Sequence, residues 1–149
     1  MKNKNLLEKY QEYILYPDKN QKFCPKEEDE QKIIKKYLDF LLNQGKIKNY
    51  HSNPNENILS FLDRKKTIMA QAKLKSMGAK KGVFDIYIFL DNKLLAIEMK
   101  RNNKNLSKIS NEQLEWLDLY NSLPYSKGYI CFGADKTIEI IEKELKNNS

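Results

Sequence analysis

The chain has 149 residues, 40% of them hydrophobic and 32% charged, which suits one domain with a modest core. No apolar run approaches the roughly 18 residues of a membrane span and no secretory leader follows Met1-Lys2-Asn3, so the expectation is an intracellular protein, neither membrane-bound nor secreted. The net charge of +7 is unevenly spread: Arg64, Lys65, Lys66, Lys73, Lys75, Lys80 and Lys81 fall between Arg64 and Phe84 with no acid among them, and the rest of the chain holds 20 basic and 20 acidic residues.

A basic segment of that kind is the footprint of a polyanion binder, and equally the solvated face of a lysine-rich helix. The two cysteines, Cys24 and Cys131, form no CxxC pair and no zinc-ligand spacing, which sets aside a disulfide framework. Cys131, in YICF, reads as a small core residue.

Residues 5–16 predict a short amphipathic helix ended by Pro17 and Asp18. Residues 26–43 predict a stronger one: Glu27, Glu28, Asp29 and Glu30 fill its first turn, where the helix dipole favours acids. Ile34, Tyr37, Leu38, Leu41 and Leu42 then recur at helical spacing before Gly45. A strand is expected within 46–52, a loop over 52–57 and partial helix over 58–77, closed by Gly78. Strands follow at 83–90 and 93–99, then a polar loop at 100–108, a helix from Ser110 to about Leu123, a strand at 129–132 and a helix at 137–145. The order α, α, β, α, β, β, α, β, α predicts an α/β fold, a small mixed sheet flanked by helices.

The hairpin raises the functional question. With a two-residue loop at Asp91-Asn92, Leu90 faces Lys93 and Asp85 faces Glu98, their Cβ atoms about 5 Å apart on one face. Lys100 shares that face, two residues beyond Glu98. Phe84, Ile86, Ile88, Leu95, Ile97 and Met99 take the other face; Val83, Tyr87, Phe89, Leu94 and Ala96 join the carboxylates. Both faces are apolar, so the hairpin is expected in mid-sheet. Paired carboxylates there repel and are costly to bury unpaired. A divalent cation of the Mg²⁺ kind, with Lys100 beside it, would resolve the clash. The alternative is an open, solvated pair with Lys100 in a surface salt bridge.

These residues carry a resemblance. The stretch KLKSMGAKKGVFDIYIF, followed by AIEMKR, SNEQLEWL and GYICFGADKTIEII, and preceded by EEDEQKIIKKYL, resembles the VRR-NUC family of the PD-(D/E)XK nuclease superfamily, in its stand-alone, virus- or phage-type form. The likeness spans about residues 26–146, with 1–25 a helical extension to a single domain. Phe84 stands where the family usually has proline before the first aspartate.

The resemblance implies a restriction-endonuclease-like core and Mg²⁺- or Mn²⁺-dependent hydrolysis of DNA phosphodiesters. Asp85, Glu98 and the Met99 carbonyl would be metal ligands, and Lys100 would orient or deprotonate the attacking water, or stabilise the phosphate. Gln113 would match the family's glutamine at the start of the next helix. A glutamate of the early helix would complete the site: Glu27 directly or through water, with Glu30, on the same inward stripe, as the alternate. Glu28 and Asp29 read as surface acids.

Stand-alone relatives of this kind act as homodimers on branched DNA such as Holliday junctions, and here residues 5–16 are available to serve a dimer. A viral source would place the protein in host cytoplasm or nucleus. Left open are a non-catalytic DNA-binding module on the same fold and a nuclease of other specificity, for flaps, ends or RNA.

Other residues have plainer readings beside functional ones. Ser110-Asn111-Glu112-Gln113 is a capping box, which need not exclude a functional Gln113. Trp116, beside Leu117 and Tyr120 in an amphipathic helix, reads as core rather than as a platform for bases. His51, the only histidine, reads as structural or exposed. Lys80, Lys81, Arg101, Lys73 and Lys75 are the candidate phosphate contacts.

Overall fold

The computed structural model describes residues 2–53 and 63–148. The expected loop at 54–57 and the start of the expected helix at 58–62 lie outside the described residues. Helices are α1 (Lys2–Lys9), α2 (Glu27–Asn43), α3 (Arg64–Ser76), α4 (Asn111–Ser122) and α5 (Ala134–Asn147). Strands are β1 (Ile14–Leu15), β2 (Asn49–Ser52), β3 (Ile86–Phe89), β4 (Leu94–Lys100) and β5 (Ser126–Phe132). They form one five-stranded mixed sheet in the order β1-β5-β4-β3-β2. β4 runs parallel to β5, and β5 parallel to β1; β3 is antiparallel to both β4 and β2.

The two apolar faces of the hairpin have the expected consequence. On one face Ile86, Ile88, Leu95, Ile97 and Met99 pack with Ile34, Leu38 and Leu41 of α2 and Ile140 and Ile141 of α5. On the other, Ala96, Ile130 and Phe132 pack with Leu6 and Tyr10 of the α1 segment and Leu114, Leu117 and Tyr120 of α4. Helices cover β4 on both sides, which is why Leu94 to Ile97 are apolar without alternation before the charged Glu98 and Lys100. The hairpin register is the expected one: Ile86 pairs with Ile97 and Phe89 with Leu94, and Leu90 N–H donates to the Lys93 carbonyl at 2.9 Å.

Two expectations about the N-terminal segment are corrected. The helix expected over 5–16 ends at Lys9, and after a 3-10 turn (Gln11–Tyr13) Ile14 and Leu15 become β1, paired with Ile130 and Cys131. Residues 1–25 are therefore no mere helical extension, because they supply the sheet's edge. Leu6 of α1 and the adjoining Tyr10 are buried in the α4 cluster, while Leu7 is exposed.

Phe84 does not share the face of Ile86; it is fully buried on the α4 side, 4.9 Å from the Tyr120 ring. Alternation stops there because Asp85 leaves the ladder. Its carbonyl accepts from Asn53 N–H (2.7 Å), and its carboxylate, not its backbone, accepts from Met99 N–H (3.0 Å).

At the turn end of the sheet a fully buried glutamate, Glu144 of α5, accepts from the Tyr129 hydroxyl and from Lys93 at 3.2 Å, with Lys127 at 3.6 Å. Among the described residues no helix is long and apolar enough to cross a membrane.

Candidate metal centre

Asp85, Glu98 and Lys100 come together at the C-terminal end of β4, where α/β sheets commonly take their ligands. All three are buried, 5%, 5% and 7% exposed, so the solvated-pair alternative does not hold. Asp85 N–H donates to Glu98 Oε2 at 3.1 Å, and Asp85 Oδ2 accepts from Met99 N–H. Each carboxylate is thus oriented by the backbone of the other strand.

The early helix contributes Glu27, its first residue. One oxygen each from Glu27, Asp85 and Glu98 lies within 4.8 Å of the other two. Of the two early-helix candidates, Glu27 stands in this cluster and Glu30 is engaged elsewhere. Its Oε2 accepts from Ala134 N–H at 2.7 Å, capping the start of α5. Glu28 pairs with Lys32 on the surface, as expected of it.

Gln113 closes the expected capping box and also reaches Glu98 with the same side chain. Its Oε1 accepts from Ser110 N–H (3.0 Å), closing the capping box, while its Nε2 donates to Glu98 Oε1 at 2.8 Å. Lys100 Nζ donates to the Lys108 carbonyl at 2.9 Å.

Arg101 is half-buried and donates to the Cys24 carbonyl at 3.3 Å, so it is fixed beside the cluster rather than free in solvent. Lys73, Lys75, Lys80 and Lys81 are exposed. His51 is exposed on β2.

The electrostatics show a shortage of positive charge. Burial first, then the Asp85 carboxylate, push Glu27 up to about 7, against the pull of Lys100 and Arg101. Burial and Asp85 likewise hold Glu98 well above the ordinary carboxylate range; Lys100 opposes them and Glu27 adds to them. Two buried donors, Gln31 Nε2 one turn after Glu27 and Arg101 Nε, have no hydrogen-bond partner among the described residues.

Three hard oxygen donors that repel one another fit an oxygen-preferring divalent cation and do not fit a soft metal. Sequence reasoning did not foresee the anchors: Asn53 on the backbone of Phe84 and Asp85, and Lys108 on Lys100. Their signal lies in tertiary contact and not in local pattern. Comparison with known proteins returns no match: no family profile, no curated protein and no solved structure is significantly similar to this chain.

Proposed function

We propose that the chain is a metal-dependent nuclease with a PD-(D/E)XK core, of the VRR-NUC type, hydrolysing phosphodiester bonds of DNA. The observation that carries this reading is the buried convergence of Glu27, Asp85 and Glu98 with Lys100 two residues beyond Glu98 on the same strand. Glu27, Asp85, Glu98 and the Met99 carbonyl would hold Mg²⁺ or Mn²⁺. When bound, the cation supplies an acidified water and neutralises charge on the phosphate.

The chain's own groups do the rest. Lys100, braced on the Lys108 carbonyl, presents a fixed cation that orients the attacking water or stabilises the charge that develops on phosphorus. Gln113 fixes the Glu98 carboxylate. Gln31 Nε2 and Arg101 Nε, without a partner among the described residues, are donors of the kind a phosphate oxygen accepts from. Exposed Lys73, Lys75, Lys80 and Lys81 would meet flanking phosphates without reading sequence. By resemblance the substrate is branched DNA, cut by a homodimer with one site for each strand.

The experiment is cleavage of labelled four-way junction, flap, duplex and single-stranded DNA in Mn²⁺ or EDTA. Cutting in Mn²⁺ alone, reduced at least ~100-fold in Lys100→Ala, is expected. Binding without cutting in any metal would remove the enzymatic reading.

A further inference from the structure

A second surface lies on the same helix as Gln113. Lys80, Lys81, Glu112, Glu115, Trp116 and Leu119 line an open groove of about 400 Å³. The groove is built rather than incidental. Gly82, at φ +80°, lies so close to α4 that an added Cβ would sit 2.8 Å from the Glu112 backbone, so no larger residue fits. One turn further along, Trp116 Nε1 donates to the Lys81 carbonyl at 2.9 Å. The segment that carries the two lysines is pinned to α4 at two points.

Trp116 packs against the α4 core cluster, as its pattern suggests, but is only partly enclosed by it. Leu117 and Tyr120 are buried, while Trp116 is half-exposed. Its ring is stacked on Tyr120, centroids 5.6 Å apart and planes at 28°. The indole N–H is already spent on Lys81, so what the ring offers the groove is π surface.

We propose that this groove takes an unpaired nucleobase of the substrate strand next to the cut, stacked on Trp116, with its flanking phosphate on Lys80 and Lys81. The inference rests on the nucleic-acid reading above and narrows it to substrates with a single-stranded element. Three features of the groove select this occupant. An aromatic face beside two lysines suits a base and its phosphate. Glu112 and Glu115 repel a bare phosphate but accept from the amino groups of a base edge. Trp116 lies three residues beyond Gln113, about 4.5 Å along the helix, so the groove adjoins the acidic cluster that Gln113 touches. A base inside a duplex still shows its groove edges, but both its faces are covered by stacked neighbours, so it cannot lie on the Trp116 ring.

Trp116 is the chain's one tryptophan and reports on its own groove. Its emission is followed while the intact chain in EDTA, where no cutting occurs, is titrated with a single-stranded oligonucleotide, a blunt duplex or inorganic polyphosphate. Saturable quenching by the single strand is expected, with little change from duplex or polyphosphate. In parallel, anisotropy of the labelled strand should show affinity weakened on the order of tenfold in Trp116→Leu, and largely kept in Trp116→Phe. Equal quenching by polyphosphate, or unchanged affinity in a folded Trp116→Leu, overturns the inference. The unaltered chain decides the matter even if a variant fails to fold. Quenching by the single strand in a protein that cuts nothing in any metal supports the groove and removes the nuclease instead.

Discussion

Glu27 and Glu98 give the site its clearest chemical signature. Their carboxyls titrate higher in the folded chain than in the unfolded one, so between the two values the native state binds more protons. Stability is therefore expected to fall as pH rises from about 4.5 toward about 7 and above. A cation in the cluster should remove that loss. Thermal unfolding at pH 5 and pH 7.5, with and without Mn²⁺, checks both statements, and Glu27→Gln should flatten the metal-free slope.

Gln113 bonds both the helix cap and Glu98, so its removal should be felt at both. Gln113→Ala is expected to cost about 1 kcal/mol through the cap. It should also weaken Mn²⁺ binding about tenfold through the freed Glu98. Denaturant unfolding and a metal titration read the two effects separately. At this scale the sequence was legible where chemistry is local: Asp85, Glu98, Lys100 and the capping box follow from alternation and spacing. It favoured Glu27 but kept Glu30 as the alternate, since both lie on one stripe and the Ala134 amide that engages Glu30 is distant in sequence.

Among the elements, α5 begins on a borrowed cap. Gly133 precedes it and offers no side chain, and Glu30 of α2 takes the Ala134 amide instead. Glu30→Ala should destabilise the fold by about 1–3 kcal/mol by orphaning a buried N–H. It should leave Mn²⁺ affinity unchanged, whereas Glu27→Ala should lower affinity and spare stability. Calorimetric unfolding beside metal titration separates the pair.

The long periodic elements, α2 and α4, were readable to within a residue or two, because their apolar stripes and caps are contained in their own sequence. β1 was not. Ile14 and Leu15 continue an apolar helical pattern, and only pairing with Ile130 and Cys131, more than 100 residues away, makes them a strand. Phe84 shows the same limit on a smaller scale, since a side-chain hydrogen bond to the ladder ends the alternation that would have placed it.

On the scale of the whole molecule, charge is segregated. The acids that matter are buried in the sheet's end, while α3 buries no residue and carries Arg64, Lys65, Lys66, Lys73 and Lys75. Duplex affinity is expected to fall steeply with salt. Lys73→Ala with Lys75→Ala should reduce the log–log slope by about 0.9 for each phosphate no longer neutralised, with cleavage chemistry at saturation unchanged. Filter binding across a salt series measures it.

The proposed nuclease activity depends on Glu27, Asp85 and Glu98 holding a divalent cation. Calorimetric titration of the intact chain with Mn²⁺ at pH 7.5 is the most direct measurement. Saturable binding, abolished in Asp85→Asn and kept in Glu30→Gln, is the predicted result. No saturable binding, or binding indifferent to Asp85→Asn, would contradict the metal centre and the nuclease built on it.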